Sequence, residues 1–323
     1  RSCAWPVSWR WRSRGMTAAD RVVTLYDAFS EVPGGGSVAG VVGAASGFST
    51  ERMQQVAAEV GAPATCFVTG VGSGVDSGMV DVRFFSTLTE YPMCGHGTIA
   101  VFTWLVEEGL LELGPQTVSW TLRTPGGTAT VDLVARPDGR TEVMLALEPT
   151  VAEPCTVSAT EVAPLLGIGV GAILEPLAIE AASADFTHLM VRVDSLATIG
   201  EVAPDHAAVA DLCRRIGADT LAVFTTETRD PEVTIRCRDF CPAVGTPEAA
   251  ATGTTNRALA CHLVRRGLVK VGAGDQVVMA TQGVEMGRPS VIRTEVTMVD
   301  GLPSGLRVGG VATRTSESTT RLW

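Results

Sequence analysis

The chain holds 323 residues, 46% of them hydrophobic and 19% charged, enough for one large domain or two ordinary ones with full cores. A formal net charge of −10 excludes the concentrated basic face that nucleic acid or an anionic membrane requires, and no run of 18 apolar residues could span a bilayer. The sole lysine, Lys270, argues against a Schiff-base or pyridoxal phosphate mechanism. The eight cysteines form no CxxC pair and the four scattered histidines complete no zinc pattern, so a cytoplasmic protein with reduced thiols, no metal and no cofactor is expected.

In chain order, Trp5, Trp9 and Trp11 alternate with Arg10, Arg12 and Arg14 in a segment that lacks the apolar core of a secretory signal. Residues 1–21 read as a disordered leader, with Met16 as the true start. A strand at Val22–Tyr26 leads into the loop Pro33-Gly34-Gly35-Gly36-Ser37. This loop has neither the GxGxxG spacing nor a following helix, so it is a cleft wall and not a nucleotide loop. After a strand at Val38–Val42, Ser49-Thr50-Glu51 caps a helix that runs to about Val60. Strands at Phe67–Val68 and Val80–Phe85 precede a helix from about His96 to Glu108, and strands at Val118–Leu122, Thr128–Val134 and Glu142–Leu147 follow it. Pro149 and Pro154 mark a crossover. The programme then repeats: a strand at His188–Val193, a helix at Asp205–Ile216, strands near Ala222 and at Val233–Arg238, and a helix from about Thr254 to Arg266.

Gly61-Ala62 against Gly217-Ala218, Phe84 against Phe240 and Thr98 against Thr254 share an offset of 156 positions, the mark of an internal duplication. The fold class that follows is α+β: two pseudo-symmetric domains, residues 22–150 and 151–315, each a mostly antiparallel sheet or barrel wrapped around a central helix. The last strand is expected to pair back with the first domain. A doubly wound α/β fold fits less well, because strands outnumber helices.

The loops Met93–Thr98 and Ala249–Thr254 open the two apolar helices, where backbone N–H groups and dipoles favour an anionic ligand. Cys94, at one such N-terminus, is expected to hold a stabilised thiolate and to accept a proton near neutral pH. His96 is a second proton carrier or a donor to a substrate carboxylate, against the plainer reading of a helix cap. Cys66, Cys213 and Cys261 are read as small core residues. The expected substrate-binding set is Ser37, Gly95, Gly97, Thr98, Ala251, Thr252, Gly253 and Thr254, with Glu90 and Glu248 as weaker acid candidates.

These residues carry a resemblance. Arg52-Met53-Gln54, Gly95-His96, Arg238 through Phe240 to Pro242, Gly245, Pro247-Glu248, Ala251-Thr252-Gly253, Gln282 through Ser290 and Arg307-Val308-Gly309-Gly310 occur in the order of the PhzF family, in the diaminopimelate-epimerase-like superfamily. The resemblance runs from about Val22 to Thr315. It implies two pseudo-symmetric epimerase-like domains with an anionic small-molecule substrate between them, no cofactor and a homodimer. Measured against the family pattern, the usual glutamate falls at Ala64, the aspartate of Glu-Asp-Pro-Ala-Thr-Gly at Ala249, and the asparagine of Gly-Gly-Asn-Pro at Ser37. Cys94 occupies the position of one catalytic thiol of the superfamily's racemases, and their second thiol falls at Ala250.

With one thiol, racemisation by two opposed bases is disfavoured and a single-base 1,3 proton shift remains. The reading is therefore a cofactor-independent isomerase of a small unsaturated, cyclic amino or carboxylic acid in specialised metabolism, a pyrroline or alkylproline precursor being preferred. The alternatives are a one-thiol epimerase or dehydratase of hydroxyproline-like substrates, and a non-catalytic ligand-binding protein on the same scaffold.

Overall fold

The computed structural model describes residues 22–72, 78–153, 155–181, 186–269 and 276–318, so the leader, Pro154 and Lys270 lie outside the described residues. The first half runs β1 (Val23–Ala28), β2 (Ser37–Val42), α1 (Thr50–Val60), β3 (Ala64–Val71), β4 (Met79–Phe85), β5 (Glu90–Tyr91), α2 (Gly95–Glu107), β6 (Val118–Thr124), β7 (Gly127–Ala135) and β8 (Thr141–Leu147). The second runs β9 (Val151–Glu153), α3 (Ala159–Leu166), β10 (Ile173–Ala181), β11 (Thr187–Val193), α4 (Leu196–Glu201), α5 (His206–Ile216), β12 (Thr220–Thr225), β13 (Ile235–Cys241), β14 (Thr246–Ala249), α6 (Gly253–Arg265), β15 (Gln276–Gln282), β16 (Ser290–Val299), β17 (Leu302–Gly310) and β18 (Ala312–Ser318).

The pairings repeat between the halves. β2 and β3 are parallel, as are β11 and β12; β4 and β6 are parallel, as are β13 and β15; the remaining ladders are antiparallel. α2 is largely apolar, α6 combines an apolar run with buried Thr255, Asn256, Arg257 and His262, and each is buried along most of its length. A helix of that kind is stable only when enclosed, so each sheet curls around one of them and a single apolar core joins the two. The outer helices are amphipathic. α1 lays Met53, Val56 and Ala57 on one sheet, and α5 lays Val209, Leu212 and Cys213 on the other.

Two pairings cross between the halves: β8 pairs with β17, and β18 leaves the second half to pair with β1. Phe29, at the end of β1, is buried with φ 64, its N–H donating to Val311 O and its C=O accepting from Val291 N–H. Among the described residues no helix is long and apolar enough to cross a membrane.

The duplication is present, but its offset is not constant. Gly61 and Gly217, both in the left-handed region, end α1 and α5 at the predicted 156. Phe84, however, faces α2 in the joint core, while Phe240 packs in the outer cluster with α5. The counterpart of Phe240 is Phe85, which faces outward against Phe67 and Met53. Beyond this point the turn Pro242–Val244 lengthens the second half, and α2 and α6, 13 residues each, begin at Gly95 and Gly253, an offset of 158. Thr98 therefore matches Asn256, each donating its backbone N–H to its N-cap carbonyl. The counterpart of Cys94 is Thr252, two residues past Ala250, with nearly the same N-cap angles (φ −147, ψ 109 against φ −138, ψ 110).

Candidate active site

Side-chain caps close α1, α4 and α5, where Ser49 accepts from Arg52 N–H, Ser195 from Thr198 N–H and Asp205 from Ala208 N–H, whereas Ser158 makes none at α3. At α2 and α6 the N-cap residues Cys94 and Thr252 make no such bond, which leaves their first-turn amides to a ligand. Gly95, His96, Thr252, Gly253 and Thr254 are half-buried at these two ends. α2 and α6 also come into contact with each other.

Cys94 Sγ lies 3.4 Å from His96 Nδ1. Burial pushes the Cys94 thiol up to about 12, against a smaller opposing pull from the Gly97 amide, and pushes the His96 imidazole down to about 4. The pair at rest is a neutral thiol beside a neutral imidazole. This corrects the expectation of a dipole-stabilised thiolate, because desolvation outweighs the dipole. Neutral imidazole is the basic form, so the proton acceptor of the pair is His96.

Other expected residues have structural duties. Thr98 is fully buried and its hydroxyl closes the first turn by donating to Cys94 O. Gly97 lies so close to its neighbours that an added methyl would sit 2.8 Å from Cys66 Sγ and 3.0 Å from the Phe84 ring. Ala251 is buried. Ser37 opens β2 opposite Ala28, beside a glycine loop that Arg288 holds through Gly35 O, Gly36 O and Asp27. Arg83 grips both oxygens of Glu90 at 2.7 Å, and Arg238 grips both oxygens of Glu248 at 2.9 Å, so neither glutamate serves as a free acid.

Gln282, read from sequence only as part of a motif, organises the second helix entry. Its side-chain amide donates to Ala249 O and to Thr252 Oγ1, while its oxygen accepts from Asn256 Nδ2. Asn256 Nδ2 also donates to Thr252 O, and the Cys237 thiol donates to Asn256 Oδ1. Gln282 and Asn256 are fully buried, and this closed network fixes the amide orientation. Since Thr252 Oγ1 accepts from Gln282, its own proton is left for another acceptor. A separate cleft of about 590 Å³ lies between the halves, with Met93 and Arg257 among its lining residues.

The profile of the PhzC-PhzF family, described as phenazine biosynthesis-like protein, matches residues 26–318. An uncharacterized isomerase of Clostridium acetobutylicum is 28% identical over 297 residues, covering 90% of this chain and 96% of that protein. A trans-2,3-dihydro-3-hydroxyanthranilate isomerase of Pseudomonas chlororaphis is 29% identical over 270 residues, covering 83% and 87% respectively. The crystal structure of a Bacillus anthracis PhzF-family protein superimposes with a TM-score of 0.81 at 26% identity, covering 92% of this chain and 98% of that one. The chain belongs to the PhzC-PhzF family and is an isomerase of that family.

Proposed function

We propose that this isomerase moves a double bond by a 1,3 proton shift in a small unsaturated carboxylic acid, with a cyclic amino acid of pyrroline type as the preferred case. The observation that carries this reading is the contact of Cys94 Sγ with His96 Nδ1 at an uncapped helix entry. His96 takes the allylic proton as a neutral imidazole and returns it to the far carbon on the same face. Cys94 orients the ring by accepting the Nδ1–H on its sulfur, which leaves Nε2 as the basic nitrogen. The amides of Gly95, His96, Gly253 and Thr254 and the Thr252 hydroxyl hold the carboxylate and the charge that develops on it. A bound carboxylate favours imidazolium, so His96 becomes more basic once substrate is in place.

Thr252 stands where a second thiol would act as the opposing base, and a hydroxyl does not take up a proton near neutral pH. That favours a one-faced shift over racemisation. With alanine at 64 and 249, the reaction named for the Pseudomonas relative lacks the family's carboxylates and is not the expected one. Incubation of the enzyme in deuterated water with trans-2,3-dihydro-3-hydroxyanthranilate and with a panel of pyrroline carboxylates tests the reading. Bond migration with a pyrroline acid, lost in His96→Asn, is expected. Deuterium uptake without migration would make the protein an epimerase, and loss of water would make it a dehydratase.

A further inference from the structure

Gln282 and Thr124 occupy the same place in the two halves. β4 and β6 pair Asp81 with Arg123, β13 and β15 pair Arg236 with Thr281, and the match of Phe85 with Phe240 sets Asp81 against Arg236. Thr124 and Gln282, which follow Arg123 and Thr281, are therefore counterparts. Each holds the chain that leads into its central helix: Thr124 Oγ1 donates to Pro92 O at 2.7 Å, and Gln282 Nε2 donates to Ala249 O at 2.8 Å. One donor is enough for that duty in the first half, and the Thr124 hydroxyl has no second proton to give. Gln282 has one more N–H, and it goes to Thr252 Oγ1 at 3.1 Å.

Backbone groups fix the direction of this bond. Ala249 O and Thr252 O can only accept, so they settle which ends of Gln282 and Asn256 are nitrogen, and Asn256 Nδ2 then donates to Gln282 Oε1. Thr252 Oγ1 accepts from Gln282 and not from the first turn of α6, the usual bond of a threonine N-cap. Its proton is left to the half-buried entry, beside first-turn amides that are donors as well.

We infer that Gln282 is a positioning residue that sets substrate specificity: by holding Thr252 as a donor, it makes the α6 entry take an ionised carboxylate and refuse the isosteric carboxamide. A carboxylate offers acceptors only, whereas the NH2 of an amide meets donors and stays unpaired. The substrate is thus seated by its carboxylate on α6, with its reacting carbons towards His96 on α2. The inference rests on the double-bond-shift reading for the presence of substrate here, but its test is a binding measurement that needs no turnover.

Isothermal titration with pyrrole-2-carboxylate and pyrrole-2-carboxamide, aromatic rings inert to a proton shift, tests it. The wild type is expected to bind the carboxylate at least about tenfold more tightly than the amide. Gln282→Met should weaken the carboxylate about tenfold and leave the amide within about twofold, because the freed Thr252 hydroxyl can turn and accept from the amide NH2. In a Thr252→Val background the same substitution should change neither affinity beyond about twofold, although it still lowers the melting temperature. A merely structural role would weaken both ligands alike in both backgrounds. Gln282→Glu decides the matter if Gln282→Met does not fold. It keeps the bond from Asn256 and has at most one proton, which Ala249 O claims, so Thr252 again loses its donor and the carboxylate should weaken about tenfold. Equal binding of the two probes by the wild type, absence of binding included, or a carboxylate preference undiminished in the Gln282 variants, overturns the inference. Failure of every pyrroline acid to isomerise, with the preference and its dependence on Gln282 intact, would overturn the double-bond-shift reading alone.

Discussion

At the first turn of α2 two opposing effects act on one thiol. A helix dipole favours an anion by about 1 kcal/mol, whereas holding a thiol at about 12 against its ordinary value of 9.0 corresponds to several kcal/mol against the anion. Cys94 therefore stays protonated at neutral pH. In an iodoacetamide time course at pH 7.5 followed by peptide mapping, half-exposed Cys155 should be alkylated well before Cys94; the reverse order would restore the thiolate. His96 makes a second prediction. Its folded pKa lies below the ordinary 6.5, so the unfolded chain binds a proton first, and stability falls as pH drops from about 6.5 towards about 4. Because the ring is partly exposed, the loss should be on the order of 1–2 kcal/mol. It should disappear in His96→Asn when chemical denaturation is compared at pH 7 and pH 4.5. Sequence places the thiol and the imidazole at the helix entry, but their protonation depends on enclosure by chain distant in sequence.

Between residue and fold, each half carries the same clamp. Arg83 stacks over Phe85 and holds Glu90, and Arg238 stacks over Phe240 and holds Glu248, so both fix the strand that enters the central helix. The second clamp is the more buried, with side-chain exposures of 8% and 13% against 23% and 27%. Removing one partner of a buried pair costs about 3–5 kcal/mol, and an exposed pair contributes under about 1. Glu248→Gln should therefore lower the melting temperature clearly more than Glu90→Gln; equal shifts would contradict the burial argument. Gln282→Leu strands Thr252 and Asn256 and should cost about 2–3 kcal/mol in urea unfolding without changing the fold. These pairs also explain what the sequence hides. Phe84 and Phe85 are adjacent and alike, and a slip of one residue moves a side chain to the other face of a strand, so only pairing decides which matches Phe240. The Gly-Thr pairs at 97–98 and 253–254 likewise offer a false register two residues from the true one. Where one signal dominates, as in the caps at Ser49 and Asp205 or the left-handed glycines 61 and 217, sequence and structure agree.

Across the whole molecule, the duplication, the enclosed central helices and the mostly antiparallel sheets follow from apolar patterning. The strands from β15 to β18 are less legible, because their edges are completed by partners in the other half. β8 with β17, β18 with β1, and Phe29 between Val291 and Val311 make each half depend on the other. The chain should accordingly unfold in one calorimetric transition, and removal of residues 312–318 should destabilise the first half although they follow the second. Two resolved transitions in the intact protein would contradict this.

The claim at the centre of this account is that His96, hydrogen-bonded to Cys94, carries a proton along one face of an unsaturated acid. The direct measurement is proton NMR of pyrroline carboxylate turnover in deuterated water by the wild type and His96→Asn. The account predicts migration of the double bond in the wild type and a rate at least about 100-fold lower in the variant. Migration at an undiminished rate in His96→Asn would contradict it.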